Sequence, residues 1–146
     1  MELFKDIDTK KTARRVSNFL SNDLEKLILM SGRSLIDLSS PVLSEAPGHT
    51  NGINNQEAVI VRGLDAEREV QAIHHTINNL PNNSRTILIG LYIKHDSWNI
   101  VQQRIYREHT QFSVMRRQAL VQFADSFEYY QQLYGCIPCI DLHVYN

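Results

Sequence analysis

The chain has 146 residues, 42% of them hydrophobic, which is enough for one core and leaves little length for a second. Its 15 basic and 16 acidic residues give a net charge of −1, which excludes a polybasic nucleic-acid coat and a self-repelling acidic chain. No apolar run approaches the roughly 20 residues that cross a bilayer, and no signal peptide opens the chain, so we expect a cytoplasmic protein without membrane contact.

Residues 1–33 form the first segment, where apolar residues spaced in threes and fours predict an amphipathic helix after Asp8. The spacing allows one break near residues 21–23, and Gly32 is a plausible C-cap. The first turns carry four basic residues, although a helix dipole disfavours cations there. A phosphate, an acidic partner or plain solvation would explain them; they are Lys10, Lys11, Arg14 and Arg15.

Residues 34–62 form a second segment, rich in Pro, Gly, Ser and Asn, which predicts a long connection between helices. A connection of this length in a compact domain is usually either functional or mobile, and the sequence does not separate the two cases.

Residues 63–134 are predicted to fold into four helices joined by short turns. Asp65 is expected to cap the first helix, which ends before Pro81, and Pro81 opens a strongly apolar second helix. Asp96 or Ser97 caps a helix of about nine residues, and a tight break leads to the long last helix.

The order of the last three helices is typical of a helix-turn-helix, in which the final helix enters the major groove of DNA. Five apolar or small side chains would pack its helices together: Val101, Ile105, Phe112, Met115 and Ala119. The fold class that follows is all-α.

This assignment gives the polar residues two tasks, and it agrees with the local excess of three positive charges over residues 94–118. Residues that point outward would read base edges, and they are Thr110, Gln111, Ser113, Val114, Arg117 and Gln118. Three arginines would contact phosphates, and they are Arg104, Arg107 and Arg116. A solvated helix face in an unrelated all-α domain would give a similar pattern.

Three consecutive runs carry a family resemblance: INNLPNNSRTILIGLYI, SWNIVQQRI and FSVMRRQALVQFA. Together with LFKDIDTKKTARRVSNFL and APGHTNGINNQEAVIVRGLDAEREV, they resemble the ArpU family of phage late-gene transcriptional regulators, over about residues 3–127. That family is itself similar to RinA-type activators and to the C-terminal helix-turn-helix region of sigma factors.

The resemblance implies a DNA-binding regulator, most often an activator, of phage packaging, morphogenesis or lysis genes, without catalysis or cofactor. It places the recognition helix on residues 110–123, with Arg116, Arg117 and Gln118 at usually basic positions. Two features depart from the pattern: the helix SWNIVQQRI holds one extra residue, and Tyr106 replaces the usual Gly, so no residue of the turn favours positive φ.

Partners follow from this function: duplex DNA, RNA polymerase and a second copy of the chain. A stripe of aromatic residues on the last helix either closes the core or forms the dimer seam, and we favour the seam, because an operator with two half-sites needs a dimer. The stripe consists of Phe123, Phe127, Tyr130 and Tyr134.

Two other features carry competing interpretations. In the tail, residues 135–146, Cys136 and Cys139 could be a redox pair or half of a zinc site, but packing cysteines are the simpler interpretation. His74 and His75 are adjacent on a helix and cannot face one metal ion, so they are expected at the surface. The competing function is a helical adaptor that binds an acidic protein without binding DNA.

Overall fold

The computed structural model describes residues 3–43 and 57–146, and in this part of the chain the secondary structure is helical, apart from one isolated bridge between Ile7 and Tyr145. This confirms the all-α expectation. The α-helices are α1 (Thr9–Asn18), α2 (Leu24–Ser31), α3 (Glu57–Asn78), α4 (Asn82–Leu88), α5 (Trp98–Arg104) and α6 (His109–Leu133). None of the helices in these ranges is long and apolar enough to cross a membrane.

The N-terminal helices follow the predicted pattern. The Asp8 carboxylate caps α1 by accepting from the Lys11 amide at 3.0 Å. The predicted break is a π-helical turn, Phe19–Asp23. It joins α1 directly to α2, with no loop between them. Gly32 ends α2 in the left-handed conformation with φ 78°, as a C-cap glycine does.

The expected start of α3 at Asp65 is wrong, because the helix already includes Glu57 and Asp65 lies well inside it. The predicted connection over residues 34–62 is therefore too long at its C-terminal end. Residues Leu35–Ser39 form a 3-10 turn, with Ser34 and Asp37 in a capping box, and residues 44–56 lie outside the described part of the chain.

The main core lies between α1, α2, α3 and α6. Phe19 of the π-helical turn packs on Phe127 of α6 with ring centroids 5.5 Å apart, and Phe123 and Phe127 are 4.9 Å apart. A second, smaller cluster consists of Ile87, Val101, Ile105 and Phe112, from α4, α5 and the start of α6. The long helix α6 therefore contributes to both clusters.

The aromatic stripe of α6 closes the core, and its assignment to a dimer seam is wrong. Phe123 and Phe127 are fully buried within the chain. Tyr130 stacks on His75 at 4.3 Å, and the Tyr134 hydroxyl lies 3.0 Å from His75 Nδ1. The surface location expected for the histidines is also wrong, because His74 is buried with Nε2 2.6 Å from the carbonyl oxygen of Ser40.

The C-terminal tail is docked on the helices. Gln131, which is buried on α6, donates to the Ile140 carbonyl at 2.8 Å and accepts from the Ile140 amide at 2.7 Å. The Asp8 amide donates to the Val144 carbonyl at 2.8 Å, and Arg15 donates to the His143 carbonyl at 2.9 Å. The tail therefore holds α1 against the end of α6.

His143 lies between two carboxylates, 2.7 Å from Asp125 and 2.8 Å from Asp141. Burial opposes protonation of the imidazole, but the hydrogen bonds to these carboxylates outweigh it and raise the pKa of His143 above its ordinary value of 6.5. A raised pKa in the folded state stabilises the fold below about pH 6.5, and this contribution disappears as the pH rises through the folded-state pKa.

We expect His143→Ala to lower the free energy of unfolding more at about pH 5.5 than at about pH 9. Asp125→Asn removes one of the two carboxylates and should reduce this pH dependence without abolishing it. Urea denaturation at both pH values measures the difference, and an equal loss at both would show that the charged imidazole contributes nothing.

A buried ion pair connects α2 to α3. Arg33, just after Gly32, donates from Nε to both carboxylate oxygens of Glu67 at 2.8 and 2.7 Å, and its Nη2 lies 2.6 Å from Oε1. Both side chains are buried, so loss of one partner would leave the charge of the other buried without this ion pair.

Glu67→Leu is expected to lower the free energy of unfolding by about 3 to 5 kcal/mol, because it leaves the buried guanidinium without that carboxylate. Adding Arg33→Met should recover most of the loss. The matched control is Asp65→Asn, which breaks the exposed pair of Asp65 and Arg68 on the same helix and should cost at most about 1 kcal/mol. Chemical denaturation would contradict the assignment if the double variant were less stable than Glu67→Leu.

Candidate nucleic-acid interface

The candidate interface starts at the turn between α5 and α6. Ser97 caps α5 by accepting from the Ile100 amide at 3.3 Å. Of the two predicted caps, Asp96 and Ser97, the helix therefore uses Ser97. Tyr106, after α5, has φ 53° and a side chain that is 88% exposed. The left-handed turn expected of a glycine is thus made by a tyrosine, at a cost of about 1 to 2 kcal/mol.

The start of α6 is held by the smaller core cluster. Val101, Ile105 and Phe112 are buried and Met115 packs against them, as predicted. Ala119 is also buried, but it belongs to the main core. The indole of Trp98 meets the Phe112 ring edge to face at 5.0 Å.

Close approach of two helices fixes α5. A π-helical turn, Ile89–Ile93, extends α4, and a Cβ placed on its Gly90 would lie 2.7 Å from Cγ2 of Val101. Any larger residue at this position requires Val101 or the α5 backbone to shift.

Gly90→Ala should therefore destabilise the chain, although alanine in an exposed helix would gain about 1 kcal/mol over glycine. Overpacking costs about 1 to 3 kcal/mol, so we expect a net loss of up to about 2 kcal/mol. In a double-mutant cycle measured by thermal denaturation, Val101→Ala should cost less in the Gly90→Ala background than in the wild type. A higher melting temperature for Gly90→Ala would show that α5 can move freely.

The predicted base-reading residues do not all lie on one face. Gln111, Val114 and Gln118 are exposed at spacings of three and four, which places them on one stripe of α6, and Thr110 beside them is exposed as well. Ser113 and Arg117 are half-buried and lie on the flank of α6 that faces α1.

The three predicted phosphate contacts differ in their surroundings. Arg104 is exposed and pairs with Asp96 at 2.7 Å. Arg107 is exposed, and its Nη1 donates to the carbonyls of Ile105 and Tyr106 at 3.3 and 3.2 Å. The Arg107 guanidinium therefore lies on the turn that precedes α6, whereas that of Arg104 lies at Asp96, before α5.

Arg116 is anchored by side chains of three other elements. Its Nη2 donates to Ser17 Oγ at 3.1 Å and to the Tyr92 hydroxyl at 2.8 Å, and its guanidinium lies 5.3 Å from the Trp98 ring centroid. Contact with α1, α5 and the π-helical turn before α5 leaves this side chain half-buried.

The sequence did not reveal that α1 borders this surface. A cleft of about 300 Å³ separates α1 from α6, and Lys10 and Arg14 line its α1 side. The sequence shows which residues of α1 are basic, and helical spacing shows which face they occupy. Neither shows which helix lies opposite that face. Contact between residues a hundred positions apart leaves no local pattern.

The remaining candidates are the potential metal ligands and the two cysteines. No group of three or more potential metal ligands occurs within residues 3–43 and 57–146. Cys136 and Cys139 are free thiols, and Cys136 is buried in the main core, in agreement with packing. Burial, as the main cause, and the neighbouring Glu69 raise the pKa of Cys136 to about 12. This thiol is therefore poorly nucleophilic.

Comparison with known proteins identifies the family. The chain is 32% identical over 133 residues to a protein of Enterococcus hirae named "Putative autolysin regulatory protein ArpU". The match covers 88% of this chain and 95% of that protein. The chain belongs to the ArpU family. No protein-family model matches the chain, and no solved structure does.

This comparison confirms the ArpU family that the sequence resembles. The name of the relative assigns a regulatory role to that protein and no enzymatic one.

Proposed function

We propose that this ArpU-family protein is a sequence-specific DNA-binding regulator of transcription. Helix α6 acts as the recognition helix, and α5 with the four-residue turn, residues 105–108, positions it as in a helix-turn-helix. The regulatory name of the Enterococcus hirae relative supports the general role.

The observation that carries the proposal is the exposed stripe at the start of α6. Gln111, Val114 and Gln118 are free to enter a major groove, while Phe112 and Ala119, on the same turns, are fully buried. Glutamine can bond adenine through two hydrogen bonds, and valine can contact the methyl group of thymine. The buried side of α6 fixes the direction of this stripe.

Exposed arginines beside the stripe supply the sequence-independent part of binding. Arg104 and Arg107 precede α6 and would contact phosphates on one side of the groove, which sets the orientation of the helix on the duplex. Such contacts position the protein without selecting a base sequence.

The wider assignment follows from the family resemblance. We propose activation of phage late genes in a bacterial cytoplasm, through contact with RNA polymerase and as a homodimer on two half-sites. The dimer seam must lie outside Phe123 and Phe127, because these side chains are buried within the chain.

The proposal is tested by selecting duplexes from a random library with the purified chain and then titrating the selected and a scrambled duplex at fixed salt. Gln111→Ala and Gln118→Ala should each lower discrimination between the two duplexes by about 1 to 3 kcal/mol. Each loss should be restricted to one or two base pairs, since each side chain contacts few bases.

The matched control is Gln132→Ala, which removes the same exposed side chain from the far end of α6 and should leave discrimination unchanged. Failure to enrich any sequence would contradict the proposal. If the purified chain binds no duplex at all, the result would favour the competing function, a helical adaptor that binds an acidic protein partner.

A further inference from the structure

We propose that the cleft between α1 and α6 is a binding site for the DNA sugar-phosphate backbone, so that the N-terminal helix is part of the DNA interface. This inference rests on the proposed function, and it adds a partner surface that lies outside the helix-turn-helix.

The lining of the cleft is cationic. Lys10 and Arg14 enter from α1, Arg117 from α6, and Arg116 lies between them; none of the described residues that line the cleft is acidic. Two hydroxyl groups, of Ser17 and Ser113, complete the polar surface. A concave surface with converging positive charges and hydroxyl donors fits a phosphodiester, which has only acceptor oxygens.

The core fixes Arg116 and the backbone on both sides of the cleft. Arg116 is anchored by Ser17 and Tyr92, whose hydroxyl oxygens lie 2.8 Å from each other. Ala13 and Val16 of α1 are buried, and the buried Leu120 and Phe123 of α6 belong to the same core cluster. The cleft is therefore preformed. Binding does not require α1 to become ordered, so no ordering entropy of α1 weakens the affinity.

Helix stability does not account for Lys10 and Arg14. Lys10 lies in the first turn of α1, where the helix dipole is unfavourable for cations, and Arg14 lies mid-helix, before the last turn, in which the dipole favours a cation such as Arg15; the acidic N-cap Asp8 bonds the Lys11 amide. Neither Lys10 nor Arg14 has an ion-pair partner within 4 Å among residues 3–43 and 57–146. An external anion would offset both the mutual repulsion and the dipole.

The cleft lies beside the proposed reading stripe. Ser113 and Arg117 lie on α6 among the same turns as Gln111, Val114 and Gln118, so a backbone that passes through the cleft keeps the stripe in the adjacent groove. This placement makes Arg117 a phosphate contact and not a base reader.

The test measures binding of the full chain to the selected and the scrambled duplex over a series of salt concentrations. Lys10→Ala, Arg14→Ala and Arg117→Ala should each weaken both duplexes by the same factor. Each should also reduce the slope of log affinity against log salt by about 0.9, because one phosphate contact is lost. The matched control is Lys26→Ala, which removes an exposed charge of α2 outside the cleft and should leave the slope unchanged.

Two outcomes would overturn the inference. Slopes equal to those of the wild type and Lys26→Ala would show that no phosphate enters the cleft, even if discrimination between duplexes is intact. A loss of base preference on Arg117→Ala, with an unchanged slope, would return Arg117 to the base readers. Equal affinity of the wild type for both duplexes, with slopes that still fall in the cleft variants, would contradict the proposed sequence-specific function alone.

Discussion

Burial of the inner side of α6 is the constraint on which the other features depend. Over its 25 residues this helix supplies Phe112 to the smaller cluster and Phe123 and Phe127 to the main core. Because an α-helix is continuous, fixing the C-terminal half against Phe19 also fixes the rotation of the N-terminal turns. The direction of the exposed stripe and the width of the cleft beside α1 are both consequences of that rotation.

Local patterns in the sequence were sufficient for most helices, because caps and apolar spacing are properties of neighbouring residues. Gly32 was identified as a cap in this way, Ser97 was one of two candidate caps, and the helix after Asp8 was predicted from its apolar spacing. The start of α3 was missed because Asp65 resembles a cap although it lies within the helix. Most of residues 57–64, which form the earlier part of the helix, are exposed, so no buried apolar stripe marks the earlier start. A cap residue indicates where a helix can start, but it does not exclude an earlier start.

The candidate site was predicted only in part for a related reason. Spacing identified the polar positions of α6, but it could not separate the exposed Gln118 from Arg116, which is anchored by Ser17 nearly a hundred residues earlier. The buried Glu67 and His74 likewise found their partners, Arg33 and Ser40, in distant segments. Partners that are remote in sequence leave no periodic signal, and these contacts decide which charges remain available to a ligand.

Docking of the C-terminal tail on α1 has a consequence for the order of folding. Helix α1 completes its packing only when α6 and residues up to Val144 have been made, so its native contacts have a very large sequence separation. Closing such a long loop is entropically unfavourable and late. The cationic surface of α1 can thus assemble beside α6 only after α6 has been synthesised.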